Sequence, residues 1–259
     1  DNSGCLCIHL LIFTTSLNID FVIFFTWFFI SWLSIVNIVI IIKITKEMKI
    51  KKFTFNSFQE NTYLIHSNKE CMIIDPGCNN IEEENLIKNY IEENQLIPKE
   101  LINTHCHLDH IFGNHFIANT YNLIPKMHEK DLPLLNKAID IAKLYNVSLN
   151  PPPLNVKTIC ENDTISLGET LWEVIFTPGH APGHICLLNH AHKKLIGGDV
   201  LFLMSIGRTD LPLCNHEDLI NSIKNKLFKL DDEIEVLCGH GENTSIGFEK
   251  QNNPFVKIN

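Results

Sequence analysis

Thr104-His105-Cys106-His107-Leu108-Asp109-His110 follows the short apolar run 101–104 and sets three imidazoles and one carboxylate within six residues. Successive side chains of an extended backbone point to opposite sides, so His105 and His107 share a direction. Asp109 and His110, from the turn beyond, can face a second point. Imidazole and carboxylate are the ligands that suit zinc, iron and manganese. Packing explains the cluster poorly, because each polar group would need its own partner if buried.

Three later segments share one form: Thr177-Pro178-Gly179-His180-Ala181-Pro182-Gly183-His184, Ile196-Gly197-Gly198-Asp199-Val200 and Leu237-Cys238-Gly239-His240-Gly241. In each, an apolar strand meets a turn that glycine permits, and a metal-type side chain follows. A lone Gly-His or Gly-Asp says little. Three in series after His-x-His-x-Asp-His point to strand ends brought together around a shared centre.

The surrounding pattern alternates strands and helices. Strands are expected at 49–55, 61–66 and 71–75, the last ending in the turn Asp75-Pro76-Gly77. A helix is expected over 81–94, with apolar residues at 81, 86, 87, 90 and 91 and three glutamates in its first turn. Further strands are expected at 101–104, 164–167, 171–177, 184–189, 194–197 and 234–238, and helices at 132–145 and 218–230. Pro151-Pro152-Pro153 marks a surface connection. Strands lead at both ends with helices between, so the expectation is an α+β domain, a mixed sheet sandwich covered by helices.

The 259 residues carry a net charge of −9, and Arg208 is the only arginine. An acidic surface repels phosphate backbones, which argues against a nucleic-acid partner. Nine cysteines, odd in number and without a C-x-x-C pair, fit a reducing compartment better than a disulfide framework.

Residues 1–47 differ in kind from the 48–259 domain. The 22 residues of 21–42 carry no charge, enough to cross a bilayer core as a helix, and Lys43 and Lys46 behind them would put the domain in the cytoplasm. Alternatively, Met48 opens a natural start, and residues 1–47 are the translation of an AT-rich stretch upstream of it. Both readings give a cytoplasmic domain, anchored to a membrane only in the first.

The series His105-x-His107-x-Asp109-His110, His180, Asp199 and His240 resembles the metallo-β-lactamase superfamily over about residues 48–258. The resemblance implies an αββα sandwich with two divalent metal ions at the sheet edge, zinc first, with iron or manganese as alternatives. His105, His107 and His180 would hold one ion, Asp109, His110 and His240 the second, and Asp199 would bridge them. The stretches 178–184, 205–210 and 244–255 are similar to the short glyoxalase II-like (hydroxyacylglutathione hydrolase-like) branch. The chain ends 18 residues after Gly241, too soon for the C-terminal helical extension that supplies much of the glutathione site in full-length glyoxalase II.

The activity so implied is hydrolysis of a small thioester such as S-lactoylglutathione by a metal-bridging hydroxide, with Asp109 orienting the nucleophile. Alternatives are a persulfide dioxygenase-like enzyme with one iron, a lactonase or other ester hydrolase, and a non-catalytic metal-binding module. Around the ligands, Cys106 is expected to face away from the metals. His184 supports the site or caps a turn. Asp75 holds a ligand histidine or merely forms a turn. Arg208 binds a substrate carboxylate or pairs with Asp210, and the ion pair is favoured. His115, His128, His190, His192 and His216 are expected in loops or on the surface.

Overall fold

The computed structural model describes residues 48–256. The anchor expected over 21–42 lies outside them. Among the described residues no helix is long and apolar enough to cross a membrane.

Strands β1 (Met48–Phe55), β2 (Glu60–Ser67), β3 (Glu70–Ile74), β4 (Ile97–Ile102), β5 (Pro125–Met127) and β6 (Lys157–Thr158) pair in chain order. The first three are antiparallel, and the rest join parallel to β3 through helical crossovers. A second sheet takes β7 (Thr164–Leu167), β8 (Thr170–Phe176), β9 (Ile185–Asn189) and β10 (Lys194–Gly198) as an antiparallel run. A small hairpin of β11 (Leu201–Phe202) and β12 (Ser205–Ile206) follows. Strand β13 (Glu235–Cys238) then adds parallel to β10, and β14 (Thr244–Ser245) closes the edge.

Period-2 alternation distributes the apolar side chains between layers. In β3, Met72 and Ile74 enter the core between the sheets, while Cys71 and Ile73 join an outer core. In β9, Ile185 and Leu187 face inward, and Cys186 and Leu188 face the other outer core. Trp172, Val174, Ile196 and Leu237 complete the inner layer opposite Tyr63, Ile65 and Ile102. Helices α1 (Ile81–Glu93), α2 (Leu108–Ile111), α3 (Asn114–Tyr121) and α4 (Leu132–Leu144) come from the crossovers of the first sheet. Helices α5 (His216–Asn225) and α6 (Ile246–Asn252) bury Leu219, Ile223 and Ile246 against the second. Four layers result, helix–sheet–sheet–helix, as expected.

Local chemistry moves some boundaries. The stripe expected on α1 is narrower: Ile87 and Ile91 are buried, but Ile81 and Leu86 are 60% and 54% exposed. At roughly 100° per residue those two point well away from the Ile87 ridge that meets the sheet. The helix expected over 218–230 starts earlier, because the Asn215 side chain accepts from the Asp218 N–H, and it ends at Asn225 before a 3-10 turn over Leu227–Lys229. Helices α3 and α6, too short to show a clear apolar period, were not expected. Asp109 and His110, expected in a turn, stand in the first turn of α2.

Candidate metal centre

The seven residues singled out lie at one end of the sandwich, where the chain leaves its strands. The loop after β4 carries His105 and His107, with Asp109 and His110 just inside α2. The β8–β9 loop carries His180, and Asp199 and His240 follow β10 and β13. Two glycines make the approach possible. Gly198 has φ +49°, and a Cβ there would lie 2.6 Å from both His184 Nε2 and Thr104 Oγ1. A Cβ on Gly239 would lie 2.1 Å from Asp199 Oδ1.

Three overlapping groups form. His105, His107 and His180 can offer three ring nitrogens to one point, Asp109, His110 and His240 can offer three atoms to a neighbouring one, and Asp75 joins His105 and His110 in a fully buried third. Asp199 stands between the first two. Its Oδ2 is 3.4 Å from His180 Nε2 and 3.5 Å from His240 Nε2, and its Oδ1 is 3.4 Å from His110 Nε2. Asp109 Oδ2 lies 3.1 Å from His240 Nε2 and 3.6 Å from His110 Nε2. His107 Nδ1 lies 2.8 Å from His180 Nε2.

The outer nitrogens fix how four rings present themselves. His180 Nδ1 is 2.9 Å from the Arg208 carbonyl and His240 Nδ1 3.0 Å from that of Phe58. A carbonyl only accepts, so each Nδ1 carries the proton and each Nε2 turns a lone pair inward. His110 Nδ1 donates in the same way to Asp75, at 3.1 Å. The Thr104 hydroxyl donates to Asp75 Oδ2 at 2.5 Å and is therefore free to accept from His105 Nδ1 at 3.1 Å. His105 Nε2, His110 Nε2 and Asp199 Oδ1 are left buried without a hydrogen-bond partner. Orphaned inward atoms of this kind are costly in a protein interior, and a cation satisfies them together. The donor set therefore fits divalent metal.

Electrostatics agree for three of the imidazoles. Burial, reinforced by neighbouring imidazoles, holds His105 well below the usual histidine range and His107 at about 3. Burial also lowers His180. These rings stay neutral, the form that ligates. Burial pulls His110 down as well, but the carboxylates of Asp199 and Asp109 outweigh it and hold that ring high. Burial opposes ionisation of Asp199, yet His110 and His180 keep it far below the ordinary carboxylate range.

The flanking residues sort themselves by contact. Asp75 does hold a ligand-bearing segment: it accepts from Thr104 N at 2.7 Å, from Thr104 Oγ1 and from His110. His184 accepts the Asp199 backbone N–H at 3.0 Å and pairs with Thr177 Oγ1 at 2.9 Å, so it fixes Asp199 without facing the centre. Cys106 turns away onto Met127, as expected. Arg208 makes the ion pair, with Nε and Nη2 each 2.7 Å from Asp210, while its backbone carbonyl serves His180. His128, expected in a loop or on the surface, precedes the 3-10 turn Glu129–Asp131 but is buried, stacked on Phe176.

Two buried carboxylates escaped the sequence reading. Asp131 accepts from Cys106 N at 2.7 Å and from Gly183 N at 2.5 Å, clamping two ligand-bearing loops. Burial pushes its carboxyl up to about 7 against the pull of those donors. Glu60 is fully buried, with Oε1 unpartnered 4.0 Å from His110 Nδ1. Burial raises it well above the usual range. Neither carries a local signal, since Asp131 follows His128-Glu129-Lys130 and Glu60 is flanked by Gln59 and Asn61.

Beside the centre opens a cavity of about 520 Å³, reached by His107, Asp109, His180, Asp199 and His240. Helix α4 lines one side with Leu134, Ile141, Leu144 and the following Tyr145. Phe58, Phe202 and Ile206 also line it.

Comparison with known proteins follows the same lines. A family described as the metallo-beta-lactamase superfamily matches residues 56–240. The hydroxyacylglutathione hydrolase GloC of Haemophilus influenzae is 38% identical over 214 residues, covering 81% of this chain and 98% of its own. A structure of BLEG-1 B3 metallo-beta-lactamase is 29% identical, with a TM-score of 0.73 over 81% of this chain and 100% of that one. TTHA1623 in a di-iron-bound form is 33% identical, with a TM-score of 0.72 over 80% of this chain and 100% of that one.

Proposed function

The chain belongs to the metallo-β-lactamase superfamily, and from that premise we propose that it is a two-metal hydrolase of small thioesters, in the manner of glyoxalase II-like enzymes. One observation carries the reading. Two triads of inward-facing ligand atoms share a central carboxylate, and three of the converging atoms are buried without a partner.

In this proposal His105, His107 and His180 hold one divalent ion, Asp109, His110 and His240 hold the other, and Asp199 serves both. Zinc is the first choice for such a set, with iron or manganese supported by the same donors and by the di-iron form of TTHA1623. When bound, the ions supply a water of lowered pKa and a Lewis acid for the scissile carbonyl.

The chain's own side chains do the rest. Asp109 reaches the cavity, where its carboxylate would orient the attacking water and take its proton. His107 and His180 line the cavity, and burial keeps both rings in the neutral form that ligates. Asp75 and His184 lock His110 and Asp199 from behind, so the centre is ordered before substrate arrives. Cys106 faces away and supplies no nucleophile.

The resemblance to GloC makes S-lactoylglutathione the first substrate to try. With zinc-loaded full-length protein, loss of thioester absorbance should be catalytic and should fall at least 1,000-fold (roughly 4 kcal/mol) in Asp199→Ala. A protein that binds two metals per chain yet hydrolyses no thioester or ester would overturn the assignment.

A further inference from the structure

The cavity beside the centre is built for an apolar, uncharged partner. Its volume, about 520 Å³, falls in the roughly 300–1,000 Å³ range of small-ligand sites. Leu134, Ile141, Leu144 and Tyr145 stand along α4 and its end at spacings that share one helix face. Several of these side chains are offered to water rather than hidden. Leu144 is 83% exposed, Tyr145 51% and Phe58 40%, although the same domain buries more than forty other apolar residues. Exposed apolar side chains gathered around a reactive centre mark a ligand-contact surface rather than packing.

Charge recognition is thin by comparison. Among the described residues that line the cavity, Arg208 is the one fixed cation, and its Nε and Nη2 are spent on Asp210. The guanidinium beside Asp210 holds that carboxyl down to about 2, so it stays ionised and offsets the arginine at neutral pH. Glutathione brings two carboxylates and an ammonium, and a nucleotide-bearing thiol brings several phosphates. Each would need more cations than the one paired arginine of this lining, on a chain whose net charge is already −9.

Resting on the thioesterase reading, we infer that the preferred substrates are thioesters of a medium-length aliphatic acid with a small uncharged thiol, the acyl chain lying along the α4 wall. Burial of each methylene on that wall gives roughly a three- to fourfold gain in kcat/KM, about 100-fold from two carbons to six.

The test uses zinc-loaded full-length protein and the acetyl, butyryl and hexanoyl thioesters of N-acetylcysteamine, beside S-lactoylglutathione and S-hexanoylglutathione. The expected result is a steep rise with chain length and no gain from glutathione at equal acyl length. Ile141→Asn and Leu144→Asn, both at partly or fully exposed positions, should each cut the hexanoyl-to-acetyl ratio at least fivefold. Calorimetry with the non-hydrolysable S-hexyl-N-acetylcysteamine thioether gives a readout independent of turnover. It should show binding with a negative heat-capacity change, weakened in both variants. A flat chain-length profile, or a glutathione ester favoured more than tenfold over its N-acetylcysteamine counterpart, overturns this inference and leaves the hydrolase reading standing. No turnover of any thioester or ester with two metals bound defeats both.

Discussion

Alanine in place of Asp131 would separate the two loops that carry His105, His107 and His180 from their common anchor. The carboxylate accepts from Cys106 N and Gly183 N, at 2.7 and 2.5 Å, in a position with no solvent exposure. Removing it leaves two buried N–H groups without acceptors, at about 1–3 kcal/mol each. The small cavity left behind adds to this, so the metal-free protein should lose about 3–5 kcal/mol. Because those N–H groups belong to ligand-bearing loops, metal affinity should also fall roughly 10- to 100-fold. Urea titration of the metal-free protein gives the first number, and competition with a chromophoric chelator gives the second. A variant that loses stability but binds metal as tightly as the wild type refutes the positioning role. Unchanged stability refutes the clamp itself.

The same carboxyl gives a pH signature of unusual sign. Burial raises it from the ordinary carboxylate range to about 7 in the fold. Its stabilising contribution is therefore complete below about pH 4 and is lost as pH rises towards 7, by about 4 kcal/mol at ~1.4 kcal/mol per pKa unit. Subtracting the pH–stability curve of Asp131→Asn from that of the wild type should expose this fall, and a difference that rises over the same window would contradict it. Asp75→Asn should weaken metal binding roughly 10- to 100-fold with little change in fold, since the amide cannot serve Thr104 N, Thr104 Oγ1 and His110 Nδ1 together; wild-type affinity in chelator competition would sink that role. Burial pushes the Cys71 and Cys186 thiols up to about 12, whereas Cys160 is exposed. Iodoacetamide at pH 8 should thus label Cys160 within minutes and spare those two until urea unfolds the chain. Peptide mass spectrometry reads the order, and early labelling of Cys71 would show that the outer core of the first sheet opens.

The inward ligands were legible because each is announced locally. His105 and His107 stand on alternate positions after a strand, and Asp199 and His240 follow strands through glycines whose missing Cβ atoms admit the side chains of the site. The central strands were legible as short continuous apolar runs, because both of their faces are buried. What supports the centre was not. Asp131 stands at the N-cap of α4, just ahead of Leu132-Pro133, yet its side chain makes no capping bond and reaches instead to Cys106 and Gly183, 25 and 52 residues away. A carboxylate that accepts from distant backbone N–H groups leaves no periodic trace. Glu60 is hidden in the same way, on a strand whose every residue is buried. The helix over 132–145 was legible but its cavity-lining role was not, because sequence cannot tell a side chain that packs from one that waits for a ligand.

The central claim is a paired metal site shared through Asp199. The most direct test is metal counting by inductively coupled plasma mass spectrometry on full-length protein, wild type and Asp199→Asn, with thioester turnover measured on the same samples. The account predicts two divalent ions per chain and turnover in the wild type, with fewer than two ions and no turnover in the variant. A wild-type protein that holds a single iron, hydrolyses no thioester and consumes oxygen with a persulfide would contradict it.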